Sequence, residues 1–270
     1  MDYRPLDYEE QKQAAVFDSS KNIDAQTFIS RTLNHLHQTQ GIARGIERYL
    51  EVGIKKGQHF FNVEAHHKVG VLPDAKFDVR SRLPDTVEPD AVEHNKIEIF
   101  ETLSQDYFLH FYDDQKFDVI CLNNARHLDA LFQEFNTTLL CAHQNTIWLI
   151  NGSMPRDLFD TLPSYHDACH LRKKMTGVED WSWNGQVYQF ILALHDFFPL
   201  MHYFTMSEGK NHQTIIWFEP RQDFLPRFNS FETIAKATYK DYLTHQDLYN
   251  VIPLEEAYAK LTQLAQRPLK

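Results

Sequence analysis

Two short apolar runs constrain the fold of this chain more than any other feature. FDVICL at residues 117–122 and TIWLI at 146–150 are almost wholly apolar and are bounded by polar segments. Runs of that length are the pattern of strands covered on both faces, which belong to parallel sheets. Between them, Arg126 to Leu140 carries apolar residues at helical spacing: Leu128, Leu131, Phe132 and Phe135. A parallel strand pair needs a long crossover, and a helix of this size supplies one. The alternation extends in both directions. Upstream, Asp24 is placed to cap a helix whose apolar side runs Phe28, Ile29, Leu33, Leu36. A short helical stretch is expected over Ile42 to Arg48, then a strand over Tyr49 to Val52 ended by Gly53. Lys68 to Leu72, stopped by Pro73, and Ile97 to Phe100 read as two further strands around a charged, proline-containing loop. Downstream, helices are expected near Tyr165–Met175 and Gly185–Phe197, followed by strands at His202–Met206 and Thr214–Phe218 as antiparallel neighbours. The predicted fold class is α/β: a doubly wound, mostly parallel Rossmann-like sheet with helices on both faces. Residues 1–40 read as an N-terminal helical arm, loose over 1–20. Residues 41–220 form the α/β domain, and 221–270 a C-terminal helical extension packed on it.

Composition narrows the function. At 270 residues and 43% hydrophobic, the chain can build one large core. A net charge of -10 repels phosphate backbones and argues against nucleic acid as a partner. Arg172, Lys173 and Lys174 form a local basic run that reads as a solvated helix face or a single-anion patch. The three cysteines lack a C-x-x-C pair and are read as reduced thiols of a cytoplasmic protein. The opening MDYRPLDYEEQ has no apolar core and is not read as a signal peptide. Phe190 to Phe204 is broken by His195, Asp196 and His202, so no membrane span is expected. Neither G-K-S/T nor G-x-S-x-G occurs, which removes the minimum residues of P-loop and α/β-hydrolase chemistry.

In a doubly wound sheet, ligands sit beyond the carboxyl ends of the strands, so residues just after each strand are the candidates. The first strand ends in YLEVGIKKG, with Glu51 at its end and Gly53 and Gly57 bracketing a turn. Ser104 and Asp106 follow the third strand, where they can also cap a helix. His127 follows FDVICL and is read either as a general base or as a helix cap. His166 and His170 are spaced to share an ion, but no third ligand is evident, and a surface helix is the simpler reading. Trp181 and Trp183 can wall a pocket or fill a core.

The segments YLEVGIKKGQHFFNVEAHHKVGVLPDAKFDV, FDVICLNNARHLDALFQEFNTTL, TIWLINGSMPRD and WNGQVYQFILALHDFFPLMHYFTM, in that order, resemble small-molecule class I S-adenosylmethionine methyltransferases over roughly residues 45–220. The resemblance implies S-adenosylmethionine as cofactor and a small polar acceptor, a sugar or specialised metabolite. It implies that Glu51, Gly53 and Gly57 cradle the methionine end of the cofactor. Ser104 and Asp106 would lie near the adenine and Asn123 beside the crevice. His127 would be the base or orient the acceptor. Three positions depart from the family pattern. Leu72 stands where the ribose-binding acid is usual, with Asp74 as its nearest substitute. Asn123 and Asn124 replace an acid-glycine pair, and Asn151 and Gly152 replace an aspartate pair. Uncharged amides are poor ligands for hard cations, so no metal is expected. Two functions remain open from the sequence: a divergent methyltransferase, or a non-catalytic relative that binds a partner or another ligand in the former crevice. Homo-oligomerisation is likewise open.

Overall fold

FDVICL and TIWLI are neighbouring parallel strands, with Val119 opposite Ile147 and Leu122 opposite Ile150. The computed structural model describes residues 28–39, 46–54, 57–73, 96–208 and 211–267. Its strands are β1 (Arg48–Val52), β2 (His67–Leu72), β3 (Lys96–Glu101), β4 (Phe117–Leu122), β5 (Ala142–Asn151), β6 (Met201–Glu208) and β7 (Asn211–Phe218). They form one seven-stranded sheet in the order β3-β2-β1-β4-β5-β7-β6. Strands β1 to β5 run parallel, and β7 lies antiparallel between β5 and β6. The helices are α1 (Phe28–Thr39), α2 (Gln58–Asn62), α3 (Ser104–His110), α4 (Leu128–Thr138), α5 (Tyr165–Thr176), α6 (Val187–Phe197), α7 (Phe231–Ala235), α8 (Tyr239–Thr244) and α9 (Leu254–Ala265). The doubly wound, mostly parallel sheet expected from the sequence is therefore the architecture observed.

Strand alternation sends side chains to two cores. Leu50, Val52, Ile120, Leu122, Trp148 and Ile150 pack on one face against Leu131 and Phe135 of α4 and the apolar body of α6. Tyr49, Val119, Cys121, Ile147 and Leu149 pack on the other against α1 and α9, through Ile29, Leu33, Leu36, Leu261 and Leu264. α6 is apolar almost all round because the sheet covers one side and the C-terminal segment the other. Three buried tyrosine hydroxyls fasten that segment: Tyr249 donates to the Tyr188 carbonyl at 2.9 Å, Tyr188 to Ala237 at 2.6 Å and Tyr203 to Leu248 at 2.6 Å. Asp196, at the end of α6, accepts the backbone N–H groups of Arg227, Phe228 and Asn229 at 2.9, 2.6 and 2.9 Å. Among the described residues no helix is long and apolar enough to cross a membrane.

The short helix expected over Ile42 to Arg48 is not seen in its described part. Ile46 and Glu47 lie outside any helix and Arg48 opens β1. The reason is pairing: Glu47 and Arg48 donate their N–H groups to the Asp118 carboxylate at 3.0 and 2.8 Å. The carbonyls of Ile46 and Glu47 accept from His66 and His67. The stretch is thus held extended against β2 and β4. The loose stretch at 1–20, Asp24, residues 42–45, and most of the 73–95 loop with Asp74 lie outside the described residues.

Candidate functional site

The crevice opens where β1 and β4 lie side by side, because their crossovers leave in opposite directions. Two short bonds close its floor: Gly53 N–H to Val71 O at 2.7 Å and Asn123 N–H to Val52 O at 2.9 Å. Gly53 has φ +93, and a Cβ there would lie 2.3 Å from Asn124 Cβ and 2.7 Å from its backbone nitrogen. Glycine is required here so that the turn after β4 can sit directly on the turn after β1. The neighbour that fills the space is thus Asn124, part of the protein itself. Gly57 also has positive φ and precedes α2.

Two cavities open at this edge, and Asn124 lines both. The smaller, about 200 Å³, has apolar walls from Val52, Val71, Leu72 and Leu103 and polar groups from Ser104 and Glu134. Ser104 Oγ donates to Glu134 Oε1 at 3.0 Å. Glu134 Oε2 is buried and has no hydrogen-bond partner among the described residues. Burial pushes the Glu134 carboxyl up to about 7, and the Ser104 hydrogen bond opposes that rise. Leu72, at the end of β2, is 2% exposed and packs into the second core as well as lining this cavity.

The larger cavity, about 470 Å³, lies beyond β4 and β5. Arg126 reaches across the turn and donates from Nη1 to the Asn151 carbonyl at 2.9 Å. Burial pushes Arg126 down to about 10, with the charge of Asp160 acting the other way. Asp160 is fully buried and its carboxylate is taken by others. It accepts from the Arg156 backbone at 3.1 Å and from Asn184 N and Nδ2 at 2.8 and 2.9 Å, and it pairs with the Arg156 guanidinium at 3.3 Å. Arg172 is occupied by both oxygens of Asp157, at 2.8 and 3.1 Å. His212, on β7, also lines this cavity. Its Nδ1 is buried with no hydrogen-bond partner among the described residues, and burial pushes its pKa below the usual histidine range.

The sequence-derived candidates divide between these places. Ser104 lines the smaller cavity. Asn123 is buried behind it, accepting from Asn151 Nδ2 at 3.0 Å. Asp106 lies in the first turn of α3 and lines neither cavity. Glu51 is fully buried on the second-core side of β1, where its Oε2 accepts from the Tyr49 hydroxyl at 2.8 Å. Nearby, Lys68 donates to the carbonyls of Phe60, Phe61 and Val63, and burial pushes its ammonium down to about 8 against the charge of Glu51. His127 is exposed at the N-cap of α4, its Nδ1 3.2 Å from Gln186 Oε1 and its ring edge-on to Trp183. His166 and His170 stack with centroids 5.9 Å apart. Among the described residues no three His, Cys, Asp or Glu side chains are grouped to hold a metal. Sequence reasoning missed Glu134, Arg126 and His212. For Arg126 the signal was present in NNARH, immediately after a buried strand.

No family model matches the sequence, and no curated protein matches it. Solved structures do match. The O-methyltransferase from Bacillus cereus in complex with SAH is 15% identical, covers 79% of this chain and 92% of its own, and gives a TM-score of 0.50. The plantazolicin methyltransferase BpumL in complex with SAH is 11% identical, with 80% and 92% covered and a TM-score of 0.48. The SAH-bound Podospora anserina methyltransferase PaMTH1 is 14% identical, with 81% and 99% covered and a TM-score of 0.42. At these identities the likeness speaks for architecture alone. Together with the strand order and the single reversed strand β7, the match to the Bacillus cereus structure establishes that this chain has the class I methyltransferase fold.

Proposed function

We propose that the chain is an S-adenosylmethionine-dependent methyltransferase acting on a small polar acceptor. The observation that carries this reading is the pair of adjoining cavities at the carboxyl edge of the sheet, joined at Asn124. Two ligands bound there would meet beside one residue, as a donor and an acceptor must. Together the cavities fall in the range of about 300–1,000 Å³ typical of ligand sites.

The residues fit the cofactor in one specific respect. Glu134 Oε2 is an orphaned buried acceptor lining the smaller cavity. A nucleoside offers hydroxyl and amine donors, so Glu134 can do on α4 the work that Leu72 cannot do on β2. Ser104 holds Glu134 in place, and Val52, Val71 and Leu103 cover the apolar surface of a base. Gly53, Gly57 and Asn123 shape the adjoining turns, and Asp106 sits one turn into α3. When bound, the cofactor supplies an electrophilic methyl group on a sulfonium. The protein's part is then to hold the acceptor in line with it and to keep water out, positioning that can supply a large share of a rate enhancement. His212, held neutral in the larger cavity, can accept the proton an acceptor hydroxyl releases. His127 stands beside Trp183 and orients the acceptor through that ring.

Calorimetric titration with S-adenosylmethionine and with SAH tests the reading. Binding of both, weakened in Glu134→Ala, supports it. No binding of either at millimolar concentration removes it. The buried apolar Leu72 at the end of β2 would then favour the second reading, a non-catalytic protein that binds another ligand in the crevice.

A further inference from the structure

Arg126 is an unusual lining group. Its side chain makes one hydrogen bond, to a backbone carbonyl, and has no carboxylate within 4.0 Å among the described residues. A guanidinium carries five N–H donors in a planar fork, and most of this fork is unused. The acids around it are already committed. Asp157 is held by Arg172, Asp160 by Arg156 and Asn184, and Asp180 by Ser182 and Arg156. The position of Arg126 is built in rather than incidental. Gly152 has φ +78, and a Cβ there would lie 2.9 Å from Arg126 Nη1 and 2.3 Å from Asn184 Oδ1. Glycine thus makes room for the guanidinium at the end of β5.

The same cavity has an aromatic wall. Trp183 turns its indole N–H inward to the Leu162 carbonyl at 2.7 Å, which leaves its ring as wall. Tyr165 meets Trp183 edge-on at 6.1 Å. Trp181, 58% exposed, and Tyr165, 47% exposed, line the same cavity. Charge selects among anions. Arg156 and Arg172 are paired with Asp157, Asp160 and Asp180, which leaves Arg126 as the single unpaired guanidinium among the described residues lining the cavity, one positive charge rather than a cluster that would hold a dianion. A monoanion of planar geometry matches one free fork.

We propose that the larger cavity binds a small aromatic carboxylate, its carboxylate on Arg126 and its ring among Tyr165, Trp181 and Trp183. As the identity of a methyl acceptor this rests on the methyltransferase reading, whereas the anion site rests only on the residues that line the cavity.

The test uses the full chain and two matched probes, 4-hydroxybenzoate and its uncharged counterpart 4-hydroxybenzyl alcohol, followed by tryptophan fluorescence and calorimetry. The acid should bind about 10- to 100-fold more tightly than the alcohol, the ratio expected for one charge-assisted contact. Arg126→Gln should abolish that preference, and Arg126→Lys should restore part of it. Trp181→Ala, at an exposed position where a substitution ordinarily changes stability little, should weaken acid and alcohol alike. Equal binding of acid and alcohol in the wild type overturns the proposal, as does no binding of either. A preference that survives Arg126→Gln overturns it too. Displacement of the acid by inorganic phosphate at equal concentration overturns it in favour of a phosphate site. SAH is titrated separately. A chain that prefers the acid but fails to bind SAH retains the anion site and loses the methyltransferase reading. The reverse result loses only the anion site.

Discussion

Replacing Glu134 with Gln should raise stability at neutral pH and lower affinity for the cofactor. The carboxyl titrates at about 7 in the folded chain against an ordinary value of 4.5. Between those two values the native chain keeps a proton that the unfolded chain has lost, so stability falls as pH rises through the window. Each unit corresponds to about 1.36 kcal/mol, and the whole window to about 3 kcal/mol. Glutamine does not titrate, and its carbonyl still accepts from Ser104. The difference in unfolding free energy, wild type minus Glu134→Gln, should therefore drop by about 3 kcal/mol between pH 4 and pH 8. Urea denaturation of both proteins at several pH values measures it. A nucleoside that donates to Oε2 favours the ionised carboxylate. SAH binding near neutral pH should accordingly release a proton, visible as a buffer-dependent heat in the wild type and absent in the variant. A stability difference that stays flat from pH 5 to pH 8 would falsify the assignment of Glu134 as a buried, unpaired acid.

Gly53→Ala should cost about 2–5 kcal/mol, from left-handed strain of about 1–2 kcal/mol and overpacking against Asn124 of about 1–3 kcal/mol. A change below about 0.5 kcal/mol in urea denaturation would mean that the two turns do not touch. Asp196→Ala strands three backbone N–H groups and should cost about 3 kcal/mol or more. These bonds hold the Asp196 carboxyl below its ordinary range. The stability it contributes is therefore present above the ordinary carboxylate pKa and is lost as pH falls through the lowered folded value, which acid titrations of wild type and variant can compare. Cys121, Cys141 and Cys169 are all buried, and burial pushes the Cys141 thiol up to about 12. A thiol reagent should label all three only in denaturant, and rapid labelling of the native chain would contradict their placement.

What the sequence made legible was set by burial on both faces. FDVICL needed no neighbours to be read, since a run whose one polar residue, Asp118, comes near its start has few other homes, and β4 spans those six residues. The strands expected at His202–Met206 and Thr214–Phe218 were likewise read as antiparallel neighbours, and β6 and β7 pair in that sense. Arg48 was not, because its strand character comes from Asp118, some seventy residues away. The site was less legible than the fold for a related reason. Glu134 lies in a helical stretch, QEFN, where an acid ordinarily faces water, and only its approach to Ser104 of α3 buries it. Glu51 has the right spacing for the crevice, yet strand alternation turns it to the Tyr49 side. His212 sits on an antiparallel strand, where rules about parallel strand ends do not look.

The shared wall at Asn124 makes the two cavities thermodynamic partners. Its backbone is pinned against Gly53, so this wall has little room to yield, and a ligand on one side changes what the other side presents. Whatever factor a nucleoside imposes on affinity in the larger cavity, a ligand there must impose on the nucleoside. Order of addition then follows from relative concentrations and that single coupling constant. Substitutions at Asn124, which lines both cavities, would change this constant as well as the two separate affinities.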